Sequence, residues 1–336
     1  MTTGLGLAVL LLGGMVLAGS MGYLHVPPGE VLDIALSGFR GRTDGLDPVA
    51  VTVVREVRFP RIVTAVLVGG ILALCGAVFQ AILLNPLADP YTLGVSSGAA
   101  FGASLVIVLQ IFGLVLPELY TVPVFAFLGA VSTLFVVLLL ASGDRRLSST
   151  SLILSGVIVA AILSAAIGLL KFLADEQVGI IIFWLMGSLS SASWKDVLLL
   201  AVVGAGGLAI VLGQAQPLNI MATGERTAVT LGVQTVRLRW LMLITCSLMT
   251  AVCVAVSGII GFVGLIVPHL LRHSVGPDNR YLLPLCFLGG GLLLLAADTL
   301  TRAVLPAEVP IGVLTALIGG PVFCILFRKR QQEQGG

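Results

Sequence analysis

The sequence predicts an all-α polytopic membrane protein of about ten transmembrane helices, and three observations carry that prediction. Of its 336 residues, 58% are hydrophobic and only 10% are charged. A soluble domain carries about 25% charged residues, so there is too little polar surface here to cover a water-soluble globule. Charge-free stretches long enough to cross a bilayer recur along the chain. Glycine is abundant, with 41 residues, which suits helices that must approach closely where lipid gives no hydrophobic push between them.

A crossing needs about 20 mostly apolar residues. The expected spans are 4–24, 62–82, 92–113, 119–141, 150–170, 197–215, 238–257, 259–274, 281–300 and 309–327, within one transmembrane domain covering 1–336. Residues 5–18 resemble a signal-peptide core but lack a basic flank and a small-residue cleavage site, so they read as a retained first span. The apolar stretch 240–271 is too long for one crossing at about 1.5 Å per residue; it divides at Ser257, Gly258 and Gly261. Segment 177–194 ends in Gly187, Ser188, Ser190, Ser191 and Ser193 and reads as a short interfacial or re-entrant helix on the outside. Trp184 and Trp194 would suit a membrane boundary there. Between the sixth and seventh spans, the polar region 217–236 suggests one short helix ending at Gly232, then a turn into Arg237 and Arg239.

Orientation follows from the basic residues of the loops. With both termini inside, ten of the 18 Lys and Arg residues fall in inner segments beside five of the 16 acids. They are Arg145, Arg146, Arg226, Arg237, Arg239, Arg272, Arg280, Arg328, Lys329 and Arg330. The inner side is then net positive and the outer side net negative, which places both termini in the cytoplasm. Arg55, Arg58, Arg61 and Arg302 remain outside. They could dock an acidic partner surface, or bind lipid phosphates and pair with Glu56 and Asp298.

Several chemistries are missing from the motifs. No GxxxxGK[ST] occurs, so the chain has no P-loop for ATP hydrolysis, and no HExxH occurs. No paired carboxylates stand in an apolar helix, where a proton-coupled pump would be expected to carry them. Asp298 with Arg302 reads as a helical i,i+4 pair. His269 and His273 share that spacing, but no third ligand accompanies them, so no metal site is expected. Cys75, Cys246, Cys253, Cys286 and Cys324 all lie in apolar stretches and read as small buried hydrophobes.

Five segments resemble a known family. They are Val57-Arg58-Phe59-Pro60-Arg61 with the small residues Gly69, Gly70 and Gly76 behind it; Gln80 with Asn85-Pro86-Leu87-Ala88-Asp89-Pro90 and Leu93-Gly94-Val95-Ser96-Ser97-Gly98; Trp184-Leu185-Met186-Gly187-Ser188-Leu189; Gly224 to Gly232; and Gly261-Phe262-Val263-Gly264 through Pro268-His269, Gly276, Asp298, Arg302, Pro310-Ile311-Gly312 and Gly320-Pro321. The pattern resembles the permease subunits of type II ABC importers for vitamin B12, iron–siderophores and haem, across about residues 55 to 328.

The resemblance implies ten spans per subunit and a pathway formed with a second copy of the chain. It implies two separate ATPase subunits, which bind ATP and Mg so that this chain needs no cofactor, and a binding protein that delivers ligand from outside. Gly224, Glu225, Arg226, Thr227, Ala228, Leu231, Gly232 and Val233 match the family's coupling region for the ATPase. Arg58 and Arg302 match arginines that face acidic residues of the binding protein. Gln80, Asn85, Pro86 and Leu87, with Ser149 and Thr150, match its inner gate and pathway; the last two also read as N-cap residues of the fifth span. The implied function is import of a metal chelate, a ferric siderophore or haem, or of cobalamin. The competing reading is an ion-gradient-driven secondary transporter, which would be expected to show a mid-membrane ion site.

Overall fold

The computed structural model describes residues 2–22, 24–40, 46–114, 121–144, 147–303 and 308–335. Arg145 and Arg146, counted above among the inner charges, lie outside the described residues, as do 119–120 of the fourth expected span. The order of elements is α1 (Thr2–Ser20), α2 (Pro28–Arg40), α3 (Pro48–Thr52), a π-helical turn (Val53–Arg58), α4 (Phe59–Ile82), α5 (Val95–Ile111), α6 (Thr121–Ala141), α7 (Ser149–Ala174), α8 (Val178–Leu185), α9 (Trp194–Gly213), α10 (Ala215–Ala222), α11 (Glu225–Thr230), α12 (Thr235–Ser257), α13 (Val263–Val275), α14 (Asn279–Ala303) and α15 (Ile311–Gly335). Among the described residues, seven helical stretches are long and apolar enough to cross a membrane, and α5 and the apolar part of α15 are shorter.

Helix α4 is the axle of the bundle. Every residue from Val68 to Ile82 is buried, which is the mark of a helix apolar all round and surrounded by protein. It packs on α9, α12, α13 and α14. Its small residues permit backbone contact with α14: a Cβ at Gly69 would stand 2.3 Å from Gly290 O, and one at Gly290 would stand 2.2 Å from Gly69 O. Close approach of this kind replaces hydrophobic drive with dispersion contact. The peripheral helices are the reverse. Phe135 on α6, Phe172 on α7 and Leu198 on α9 are each more than 60% exposed, an apolar coat that water would not tolerate.

The break expected after Ser257 is present. Gly258 (φ 68°) ends α12, and Phe262 (φ 68°) precedes α13. A left-handed conformation is costly for a bulky side chain. Helix α13 has 13 residues, about 20 Å, which is short of a full crossing. It also contains Pro268, whose missing N–H leaves the carbonyl four residues back without its helical donor. That carbonyl belongs to Gly264, and Gln80 of α4 donates Nε2–H to it at 3.2 Å.

One expectation needs correction, and two further features follow from the packing. The region 217–236 holds two short helices, α10 and α11, and Arg237 and Arg239 belong to the opening turns of α12. Gly224 (φ 114°) separates the pair and Gly232 (φ 84°) ends the second, so the glycines mark both boundaries. The outer segment before the second span is itself helical: Asp47 caps α3 by accepting from Val49 N–H at 3.1 Å, and α2 buries Val31 and Ile34. Finally, α8 turns inward. Its last turn is pinned to the α12–α13 break by Ser188 N–H donating to Ser257 O at 2.9 Å. Gly312 N–H donates to Met186 O at 3.0 Å. Trp184 is packed against the core, while Trp194 donates Nε1–H to Arg55 O at 3.1 Å.

Candidate functional site

The loop between α4 and α5 is built from local hydrogen bonds. Leu84 adopts φ 49° and turns the chain out of α4. Asn85 then accepts from Leu87 N–H through Oδ1 at 2.9 Å, a side-chain turn that Pro86 fits because it supplies no donor. Asp89 accepts from Tyr91 N–H at 3.1 Å and from the Thr92 hydroxyl at 2.8 Å. Burial pushes the Asp89 carboxyl above its ordinary range, against those hydrogen bonds. Tyr91 donates its hydroxyl to Ile260 O at 2.8 Å, so this loop touches the α12–α13 break directly. Leu84 and Leu87 stay more than 40% exposed.

A second left-handed leucine, Leu147 (φ 48°), precedes α7. Ser148 caps that helix, accepting from Ser151 N–H at 3.3 Å. The capping role expected for Ser149 and Thr150 thus belongs to the residue before them. Ser149 and Thr150 form the first turn of α7, two turns before Gly156, where a Cβ would stand 2.5 Å from Thr92 O. Helix α7 thus packs on the stretch that leads from the Asn85–Leu87 turn into α5, at Thr92 and Leu93. Gln80 stands apart. It is 4% exposed, and besides Gly264 it takes the guanidinium of Arg272 on its side-chain oxygen, so it braces α13 against α4.

The same end carries α10 and α11. Ala228 is fully buried, while Arg226, Thr227, Gly232 and the apolar Val229 and Leu231 are exposed. A shallow groove runs beside α11 between Val229, Val233, Val236 and Trp240. Asn219 of α10 donates to Asp278 at 2.7 Å and accepts from Asn279 N–H at 2.7 Å, tying α10 to the start of α14.

The opposite end gathers the outer arginines, but not as free groups. Arg58 is 5% exposed and donates to Gly19 O at 2.6 Å and to Leu24 O. Arg302 donates to Met21 O at 2.6 Å and Ala18 O at 2.7 Å. Both converge on Gly22, where a Cβ would stand 3.0 Å from each. They satisfy the carbonyls that α1 leaves unpaired at its C-terminus and meet its negative dipole end. The expected pair of Asp298 with Arg302 is only 3.9 Å, at the limit of contact; the closer partner is Arg61, at 2.8 Å. Arg61 also meets Glu308 at 2.5 Å. Sequence reading placed Arg61 only in a surface cluster. The available signal was the acid inside an apolar helix, which demands a fully buried cation.

Beside this network lies a cavity of about 700 Å³, lined by Arg61, Gln110, Trp184, Ser188, Glu308 and Ile311 among others. Its size is that of a pocket for a drug-sized ligand. His269 and His273 lie edge to edge with ring centroids 5.0 Å apart. Among the described residues, no group of three or more His, Cys, Asp or Glu is placed to hold a metal ion.

Comparison with known proteins accounts for this arrangement. A cobalamin import permease of Halobacterium salinarum is 42% identical over 289 residues, 85% of this chain and 76% of that one. A hemin transport permease of Yersinia pestis is 41% identical over 284 residues, 83% of this chain and 84% of that one. The solved inward-facing structure of a metal-chelate type ABC transporter superposes with a TM-score of 0.84 at 36% identity, covering 97% of this chain and 98% of that one. The chain is thus a multi-pass permease subunit of an ABC transporter, not the subunit that performs catalysis. Residues 9–329 match the FecCD transport family, and the chain belongs to it.

Proposed function

We propose that this permease imports a metal chelate, a ferric siderophore or haem, or cobalamin. It does so as a pair of copies with two ATPase subunits below and a binding protein above, both termini lying in the cytoplasm. The observation that carries the reading is α11, which holds Val229 and Leu231 more than half exposed beside a groove at the end where the inner loops gather. An apolar pair displayed on a six-residue helix needs a protein surface to cover it, and the ATPase is that surface. Arg226, Thr227, Leu231, Gly232 and Val233 form the contact, Gly224, Glu225 and Ala228 seat α11 on the bundle behind it, and ATP with Mg stays on the partner.

At the inner end, Asn85, Pro86, Leu87, Ser149 and Thr150 form the gate. The left-handed leucines that precede both parts store the strain of a switch region. At the outer end, Arg58, Arg61 and Arg302 outnumber Asp298 and Glu308. This local excess, on an outer side that is net negative overall, orients an acidic surface of the binding protein even though Arg58 and Arg302 are spent on α1. Val229→Asp with Leu231→Asp tests the reading. The wild-type chain retains a co-expressed ATPase on purification, and the double variant loses at least 10-fold of it. Uptake in vesicles stops with vanadate and continues with an uncoupler; concentration of ligand by the permease alone would overturn the proposal and favour the ion-gradient reading.

A further inference from the structure

Arg239 is among the largest fully buried side chains of the protein, 1% exposed, yet it lies in the second turn of α12 at the inner end. Its Nη2 donates to Glu225 Oε2 at 3.0 Å, and the Glu225 side chain is 32% exposed. Glu225 opens α11. Two side chains fasten that helix to the bundle: Ala228, fully buried, and this carboxylate. A buried guanidinium cannot part from its carboxylate without a large desolvation cost. Displacement of α11 therefore carries Arg239 with it, and Arg239 is built into a continuous helix of 23 residues, about 35 Å long.

The far end of α12 is the break at Gly258–Phe262. There Tyr91 from the loop carrying Asn85 and Leu87 grips Ile260 O, and Ser188 and Gly312 are anchored beside it. We propose that the Glu225–Arg239 pair is the joint through which α11 moves α12, so that Arg239 is a positioning residue for coupling. A push at the inner face then reaches the break, and through Tyr91 the loop between α4 and α5, along one rod. This deepens the reading of α11 as the ATPase contact and rests on it.

The test uses the permease–ATPase complex in proteoliposomes, with native cysteines replaced and a nitroxide on Gly261→Cys. No atom lies within 4 Å of where a Cβ would stand at Gly261. The label-to-label distance between the two copies is measured before and after vanadate trapping. The unaltered pair gives a distance shift. Arg239→Met keeps the ATPase attached and loses at least half of that shift. The double variant Glu225→Gln with Arg239→Met, which removes both charges and leaves neither stranded, loses it to the same extent. It stands in where the single variant fails to fold. A full shift in either variant, even with a lowered unfolding temperature, would show a merely structural pair and overturn the proposal. A double variant that sheds the ATPase while the single one keeps it would also overturn it, by placing Glu225 against the ATPase. Failure of the unaltered chain to retain any ATPase would instead sink the reading of α11 itself.

Discussion

Two arginines are buried at opposite ends of the bundle, and they are held in different ways. Arg61 is clasped by both oxygens of Asp298, from Nε at 2.9 and 3.2 Å and from Nη2 at 2.8 Å, with Glu308 closing a further side. Its partners come from α14 and from the segment leading into α15, so three parts of the chain meet on one guanidinium. Arg239 meets a carboxylate on a helix of six residues that buries only Ala228 besides. A multiply held charge fixes its surroundings, because no single displacement frees it. A buried charge paired with a small, largely exposed element is coupled to that element's movement. The end carrying Arg61 is thus a clamp and the end carrying Arg239 a joint.

The largest way to break this contrast is Asp298→Ala. Asp298 is 0% exposed, and its loss leaves Arg61 with only the half-exposed Glu308 and Arg302 with only the carbonyls of α1. Removing one partner of a buried pair costs about 3–5 kcal/mol; Glu308 on Arg61 and the α1 carbonyls on Arg302 hold the loss toward the lower end, and the unfolding midpoint in detergent should fall accordingly. A change under about 1 kcal/mol would mean that the outer end is no clamp. Glu308→Gln comes next. Its side chain is 50% exposed, and solvent-screened pairs contribute about 1 kcal/mol or less. The expected loss is small because Asp298 still holds Arg61. A loss comparable to that of Asp298→Ala would make Glu308 the main holder of Arg61.

How much of this was legible in the sequence follows the same division. The long apolar runs were readable because hydrophobic length is a local property: α4, α6, α7, α9, α12 and α14 lie where charge-free stretches placed them. The break at Ser257–Gly258 and the turn at Asn85–Pro86 were readable because glycine, asparagine and proline act on their own backbone. Partnerships across the fold were not. Asp298 pointed to Arg302 by helical spacing, and it took packing of α4 against α14 to bring Arg61 closer. Arg58 and Arg302 read as outward charges, because nothing local says that α1 ends beside them. Arg239 looked like a loop residue, since burial of an arginine at the start of a helix depends on where Glu225 arrives.

The smallest expected effect tests whether the inner face is breakable elsewhere. Asp278 accepts from Arg280 Nη2 at 2.6 Å and Nε at 3.0 Å, from Arg280 N–H at 3.0 Å and from Asn219 at 2.7 Å. These donors hold its carboxyl well below the usual carboxylate range. A carboxyl whose folded pKa is depressed binds its proton first in the unfolded state as pH falls. Its contribution is therefore complete above about 3.9 and fades as pH drops toward the lowered value. Because the group lies in solvent, salt screens the effect. The readout is hydrogen exchange of α10, corrected for intrinsic rates, since α10 is tied to Asp278 through Asn219. Protection in the wild type should hold down to about pH 4 and decline below it, whereas Asp278→Asn should remove that step. An identical acid-dependent step in the variant would mean that α10 is anchored by packing alone, and the inner face would then have its one electrostatic hinge at Glu225.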